Sequence, residues 1–527
     1  MSKARTVGMS LPMGRLGTES PFSHSGITNF FIHEKKALDT AARDSKCFFH
    51  AKQISMKLKH ISTLIAFCLG SGSLLPAAAS TGKDKDSESQ GNSPKEETQF
   101  VISAEIRERG VYSHGYEQPL RLDQKGSFFV GQRTRLNFDF RKGPTGFFVQ
   151  IEDGRIWGET NGSHSQGLGI AQAYFHYDIG KGFGFKVGRM PLHYEDGRYL
   201  SYSSWDECPK THDALVFSFR SRDKKTKADI GASFSNTSDS YFLNPYGLDN
   251  YFKYLLIGYV SHQFTPDLRI GLLSVTDFQE RKYWDAGLED YAYDPGRIYG
   301  RSTVGLYLDL FKGRKVSALA YGYGQFGRLN TGRHVASGLA SVKMKYKAMP
   351  KIELQLGYDF VSGDWMDEGS EYARDFSKFL GSTHSFLGIM DFFSPGSRHS
   401  SICGLHQPQL SIIFRPAPKH SLELTGRYFW TVARPGLTIL DESDIPGAET
   451  TYDSRDLGFE GSLIYKYSIR PDLSLEAGYA LHTPTETLEI LNEMMPGSSK
   501  FAHFGYVMIS YKPTLFNLAN HRKGHDD

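Results

Sequence analysis

The sequence predicts a transmembrane antiparallel β-barrel of about eighteen strands, with short periplasmic turns and long extracellular loops. Three observations carry this expectation. The first is a period-two alternation of apolar and polar residues, clearest in Lys351 to Phe360. There Ile352, Leu354, Leu356, Tyr358 and Phe360 fall on one side of an extended chain, and Glu353, Gln355, Gly357 and Asp359 on the other. The second is that short turns and long loops alternate between such segments, a sorting for which a soluble sandwich has no reason. The third is that no apolar run after residue 80 is long enough for a membrane helix. In lipid every backbone donor and acceptor must be paired, so a closed sheet is the remaining way across.

Composition agrees and narrows the function classes. Hydrophobic residues make up 39% of the 527-residue chain, too few for a bundle of membrane helices. Aromatics reach 13% and glycine numbers 54, which suits strands with interfacial rings and tight turns. A net charge of +3 with no basic cluster argues against nucleic acid.

Taken in order, residues 1–55 are polar and without period. Met56-Lys57-Leu58-Lys59-His60 then gives a basic start, Ile61 to Leu69 with Leu74 and Leu75 an apolar middle, and Ala77-Ala78-Ala79 a small-residue exit. This is the pattern of a signal peptide over 56–79, so Met56 is the expected start and 1–55 a mis-assigned extension. Phe67 before Cys68 is too large for a lipoprotein site. Residues 80–99 carry Lys, Asp, Ser, Glu and Gly with almost nothing apolar, and read as a disordered linker. Export would leave Cys208 and Cys403 where a disulfide is permitted; sequence leaves open whether they meet.

The barrel is expected over 100–515, followed by a polar tail at 516–527. Its candidate strands are 100–110, 126–141, 145–157, 168–179, 182–190, 212–221, 226–234, 252–263, 267–277, 297–311, 314–327, 333–347, 350–361, 405–415, 419–432, 455–468, 471–482 and 501–512. Short turns such as Arg141-Lys142-Gly143-Pro144, Ile179-Gly180-Lys181-Gly182 and Arg470-Pro471-Asp472 use Gly for positive φ and Pro to fix φ. The longer connections include 191–211, 235–251, 278–296, 362–404, 433–454 and 483–500.

Several strands show two faces. Leu136, Phe138 and Phe140 oppose Arg133, Arg135, Asn137 and Asp139. Val304, Leu306, Leu308 and Leu310 oppose Arg301, Tyr307 and Asp309. Leu422, Leu424, Tyr428 and Trp430 oppose Glu423 and Arg427, and Leu473, Leu475, Ala477, Tyr479 and Leu481 oppose Glu476. A Lys or Arg on the lipid face at mid-membrane costs roughly 2–4 kcal/mol, so the charged faces are expected to line the lumen.

Three stretches carry a family resemblance. Val149-Gln150-Ile151-Glu152-Asp153-Gly154-Arg155-Ile156-Trp157-Gly158 resembles a strand end of the alginate-export family of outer-membrane barrels. Val187-Gly188-Arg189-Met190-Pro191-Leu192-His193-Tyr194-Glu195-Asp196-Gly197-Arg198 resembles that family's Gly-Arg strand end and the loop after it. Thr383 to Phe393 is similar to its long-loop signature. The resemblance implies an eighteen-stranded barrel in the bacterial outer membrane, passive export of an anionic polysaccharide, and a cationic path near Arg155 and Arg189.

The strand reading adds Arg133, Arg135, Asp139 and Arg301 as pore-lining candidates. In the other half of the barrel Glu353, Asp359, Glu423, Glu460 and Glu476 stand beside Lys343, Lys345, Arg427 and Lys466, so the lumen is mixed in charge. Acids beside a cationic ring weaken its hold on a polyanion, which suits a channel for smaller polar or anionic solutes at least as well as a polysaccharide exporter. Arg133 and Arg135 have two readings: selectivity residues, or partners of Asp139 and Glu152 in a packed interior.

Other chemistry is weaker. Asp364, Asp367, Glu368, Glu371 and Asp375 in loop 362–404 lack the EF-hand spacing for Ca²⁺ and read mainly as a solvated acidic stretch; the same loop is a candidate constriction. His212, His384 and His406 have no metal-ligand spacing. Ser382, His384 and Ser385 read as polar loop residues ahead of a hydrolase site. The expectation is a passive outer-membrane channel, not an enzyme, with no cofactor, contacting outer-membrane lipid and a polar or anionic solute, polysaccharide included. The alternatives are a barrel enzyme acting on lipid and a surface-loop receptor.

Overall fold

Segments that alternate with period two leave half of their backbone groups seeking a neighbour on each side, and the chain supplies those neighbours in sequence order. A computed structural model describes residues 98–158, 167–235, 252–363, 370–377, 380–382, 384, 386–393, 403–434, 437–440, 449–492 and 494–518. The expected extension, signal peptide, most of the linker and most of the tail lie outside these residues.

The wall strands are β1 (Thr98–His114), β2 (Ser127–Lys142), β3 (Thr145–Ile156), β4 (Gly167–Gly180), β5 (Phe183–Met190), β6 (His212–Arg220), β7 (Thr226–Phe234), β8 (Tyr254–Thr265), β9 (Leu268–Asp285), β10 (Asp290–Leu310), β11 (Val316–Arg328), β12 (His334–Met349), β13 (Ile352–Val361), β14 (Leu405–Phe414), β15 (His420–Trp430), β16 (Asp456–Arg470), β17 (Leu473–His482) and β18 (Ala502–Tyr511). Among the described residues the main sheet has twenty strands; Tyr372–Ala373 and Thr514–Asn517 are short additions to it, leaving eighteen in the wall. Each wall strand pairs antiparallel with the next. The last returns to the first, with Ile106 opposite Tyr511 and His114 opposite His503, so the sheet closes and keeps no free edge. Thr514–Asn517 adds to the start of β1, where Ile102 lies opposite Phe516.

The two faces separate as the alternation requires. Phe128, Ile230 and Leu356 are more than 60% exposed on the outside, while Asp359 and Arg107 are at 0% and 1% on the inside. In the Lys351–Phe360 stretch Leu354, Leu356 and Tyr358 point out, and Gln355 and Asp359 point in. Each outward apolar side chain gains hydrocarbon contact, and each inward charge is spared it.

One connection differs from expectation. The loop expected at 278–296 is largely strand, because β9 runs on to Asp285 and β10 starts at Asp290. Asp285 Oδ1 accepts from the Gly287 amide at 2.8 Å and closes the turn. Trp284 meets Tyr291 edge-on at 5.3 Å, and Lys282 Nζ lies 4.7 Å from the Tyr291 ring centre. These cross-strand contacts hold the lengthened hairpin together. The connection after β11 is also tight, with the Leu329 amide donating to the Arg333 carbonyl at 3.0 Å.

The apolar core sits inside the wall, where two inward-folded loops pack against inward side chains of the strands. Leu192, Tyr199 and Leu200 come from the loop after β5; Phe376, Leu380, Met390 and Phe393 come from the loop after β13. A third connection, between β17 and β18, forms a short helix α1 (Glu486–Leu491), whose first turn is capped by Thr485 accepting from the Leu488 amide.

Candidate pore constriction

The loop at 191–211 crosses the lumen and is tied to three sectors of the wall. Glu195 accepts from Arg269 of β9 at 2.9 and 2.6 Å and from the Tyr259 hydroxyl of β8 at 2.8 Å. Arg198 donates to Asp359 of β13 at 3.1 Å, with both side chains at most 1% exposed. Glu207 pairs with Arg107 and, at 2.6 Å, with Arg109 of β1. The turn that carries Arg198 needs Gly197, which has φ +77° and whose Cβ would lie 2.7 Å from the His193 ring.

Four arginines converge where this loop meets β1 and β2. Inward positions alternate, so Arg107 lies opposite Arg133 and Glu105 opposite Arg135. Arg133 Nη2 donates to Glu105 at 2.5 Å, and Arg135 bonds Glu152 of β3 and reaches Glu105 at 3.3 Å. Backbone carbonyls of the loop complete the shell: Ser204 accepts from Arg107, Trp205 from Arg109 at 2.8 Å, and Asp206 from Arg133 at 2.7 Å. Charge-assisted bonds of this kind are what permit guanidinium groups to be buried.

The second loop, after β13, closes the other side. The Ile389 and Met390 amides donate to Glu460 of β16 at 2.9 and 3.2 Å, and Arg427 of β15 donates to the same carboxylate at 3.1 Å. His384 Nδ1 lies 2.7 Å from Asp391, which also accepts from the Tyr116 hydroxyl. The two loops are bonded directly. The Ser201 amide donates to the Leu380 carbonyl at 3.1 Å and the Ser382 amide to the Gly197 carbonyl at 3.2 Å. Phe386 packs under Arg198, whose guanidinium carbon is 4.5 Å from the ring centre.

Most expected pore-lining residues take the inner face. Arg133 and Arg135 sit in the arginine cluster. Arg301 pairs with Asp277 at 3.1 Å, Lys466 with Glu476 at 3.1 Å, and Lys345 approaches Glu353 at 3.8 Å. Lys343 lies 5.4 Å from the Phe386 ring centre. Asp359 and Arg427 anchor the two loops. Asp139 pairs with Arg141 at 3.2 Å, nearer the short-turn end, and not with Arg133.

Two expectations are corrected. Register places Gly154 opposite Arg133, so Arg155 falls opposite Gln132 on the other face; it is exposed and bonded to Asp153 at 2.6 Å. Arg189 lies opposite Asp213, in phase with the outward Leu215 and Phe217, and pairs with Asp213 at 2.8 Å on the outer surface. The family resemblance placed both along the path, whereas strand phase turns them away from it.

Other expectations divide. Cys208 and Cys403 are both free thiols. Burial and the neighbouring Glu152 push the Cys208 thiol up to about 11, and burial pushes Cys403 up to about 12. Asp364, Asp367, Glu368 and Ser385 lie outside the described residues, and Glu371 stands 3.8 Å from His334. Arg107 and Arg109 went unread although they share the period of Glu105. Glu207 and Arg198 lie in a loop without period and gave no signal.

No protein-family model matches the chain, and no curated protein matches it. Solved structures do share the fold. OccAB4 of Acinetobacter baumannii aligns with a TM-score of 0.51 at 11% identity, covering 81% of this chain and 100% of that one. OccAB1 of the same species gives 0.51 at 11%, covering 79% and 97%. The outer membrane protein OprD of Pseudomonas aeruginosa gives 0.50 at 12%, covering 79% and 94%. The fold is that of a bacterial outer-membrane porin. The resemblance to the alginate-export family is repeated by no family model.

Proposed function

We propose that the protein is a passive outer-membrane channel for small polar or anionic solutes. The observation that carries this reading is the group of four lumen-facing arginines, Arg107, Arg109, Arg133 and Arg135, placed where an inward loop narrows the barrel. Cations held by fixed partners at a constriction favour anions without binding them permanently. The alternating acids and bases elsewhere on the inner face give polar solutes a wet, charge-balanced wall.

Polysaccharide export is the weaker reading. Two loops, bonded to each other and to the wall, cross the space that a polymer would thread. Loops tied inward also leave less outer surface for a receptor. His384, the residue on which a hydrolase would depend, is bonded to Asp391 and packed flat against Trp205, which supports a structural role.

The test is planar-bilayer recording of the purified protein in a salt gradient, with a panel of small carboxylates, sugars and amines as competing solutes. Steady ion current with anion-leaning reversal potentials is expected. A protein that inserts and passes no current sinks the channel reading.

A further inference from the structure

We infer that Glu207 is a resident counter-anion: its carboxylate occupies the anion site of the constriction and sets how strongly the channel favours anions. This rests on the channel reading above.

Among the described residues, the wall carboxylates that form ion pairs in the cluster bond two of its four arginines. Glu105 and Glu152 pair with Arg133 and Arg135. Arg107 and Arg109 point instead to the loop, where Glu207 is the carboxylate that meets both. The exposures are unequal. The Arg107 and Arg109 side chains are 2% and 7% exposed, and Glu207 is 22% exposed. The carboxylate itself is turned into the cluster, with Oε2 buried beside Arg107 and Oε1 bonded to Arg109, so it neutralises the two guanidinium groups from within the seam between loop and wall.

The seat is built for it. Gly131 and Gly154 face inward beside Glu207 and its neighbour Cys208. A Cβ at Gly131 would lie 2.5 Å from Glu207 Oε1, and one at Gly154 would lie 2.6 Å from Cys208 Sγ. Side chains at either position would push the loop away.

The loop does not depend on the Glu207 charge to stay in place. Trp205 is held between Arg109, 3.8 Å from its ring centre, and His384, 3.6 Å away. Glu195 and Arg198 anchor the loop elsewhere, and the carbonyls of Ser204, Trp205 and Asp206 hold the arginines. Removing the charge should thus expose an anion site without opening the constriction.

The experiment is Glu207→Gln in planar bilayers under a KCl gradient. The anion-to-cation permeability ratio is expected to rise by about threefold or more, with single-channel conductance within about 1.5-fold of the parent. In Glu207→Ala, millimolar acetate should return the ratio toward the parent value, which a merely structural role would not produce. An unchanged ratio in both variants overturns the inference. So does a severalfold rise in conductance in Glu207→Gln, because Glu207 would then be a strut. Failure of both variants to insert, with the parent inserting, overturns it too, since the remaining anchors would have proved insufficient. A parent protein without current rejects the channel reading itself.

Discussion

Trp205 lies flat on His384, ring centroids 3.6 Å apart and planes 9° from parallel. One ring belongs to the loop after β5 and the other to the loop after β13, so the stack adds to the backbone bonds between the two segments that narrow the lumen. Asp391 and Tyr116 hold His384 from behind, and Arg109 covers the far face of Trp205. The contact couples three connections to the arginine cluster.

Replacing Trp205 with Ala is expected to loosen the constriction while sparing the wall. The stack contributes about 0.5–1.5 kcal/mol beyond area burial, and the strand ladder does not pass through it. Single-channel conductance should rise by about twofold or more, with noisier open states, and far-ultraviolet circular dichroism should be unchanged. Unchanged conductance would mean that the loops are held mainly by their backbone bonds.

Asp359→Asn tests the other anchor. Arg198 and Asp359 are both buried, and removing one partner leaves an uncompensated interior charge that costs about 3–5 kcal/mol. Arg470 and Asp472 make a similar contact at 2.8 Å, but their side chains are 56% and 32% exposed at a short turn. Asp472→Asn there should leave stability nearly unchanged, because water screens the pair. Denaturation midpoints of the two variants, measured in the same detergent, should differ accordingly. Equal midpoints would show that water reaches Arg198 and that it is not truly desolvated.

The wall was legible because its physics repeats. Each strand obeys one rule, apolar out and polar in, and the short turns carry Gly and Pro, so Leu356 and Asp359 could be assigned to opposite faces from the sequence. Register was harder to read. Arg155 and Arg189 sit near strand ends, where one step of phase decides the face, and the pairing partners Gln132 and Asp213 are distant in sequence. The constriction was the least legible part. Glu207, Arg198 and Trp205 act through contacts with β1, β13 and the second loop that no local pattern encodes. Arg107 and Arg109 are the exception, since continuing the alternation from Glu105 would have found them.

Leu356→Arg should hinder insertion, whereas Gln355→Arg should be tolerated far better. Leu356 is 61% exposed on the outer face in the middle of β13, and Gln355 beside it is buried on the inner face. A guanidinium at mid-membrane on the lipid side costs roughly 2–4 kcal/mol, while one in the lumen keeps water and nearby acids. Folding yield into lipid vesicles, scored by heat-dependent gel mobility, gives the comparison. Equal yields would overturn the assignment of the two faces.

Cys208 and Cys403 offer a test of the loops that needs no recording of current. Both are free, so peptide mapping after denaturation should find Cys208 and Cys403 labelled without prior reduction. In the folded protein Cys208, near the end of the loop, lies beside Glu152, and its thiol is raised from 9.0 to about 11 by burial and by that carboxylate. The thiolate is the reactive form, so at pH 8 labelling by a maleimide should be slower than for an ordinary thiol by at least about tenfold. The rate should climb as pH rises toward 11, since the folded state disfavours the anion until then. Trp205→Ala should accelerate Cys208 labelling and leave Cys403 unaffected. Fast labelling of Cys208 in the parent at pH 8 would mean that the loop spends much of its time away from the wall.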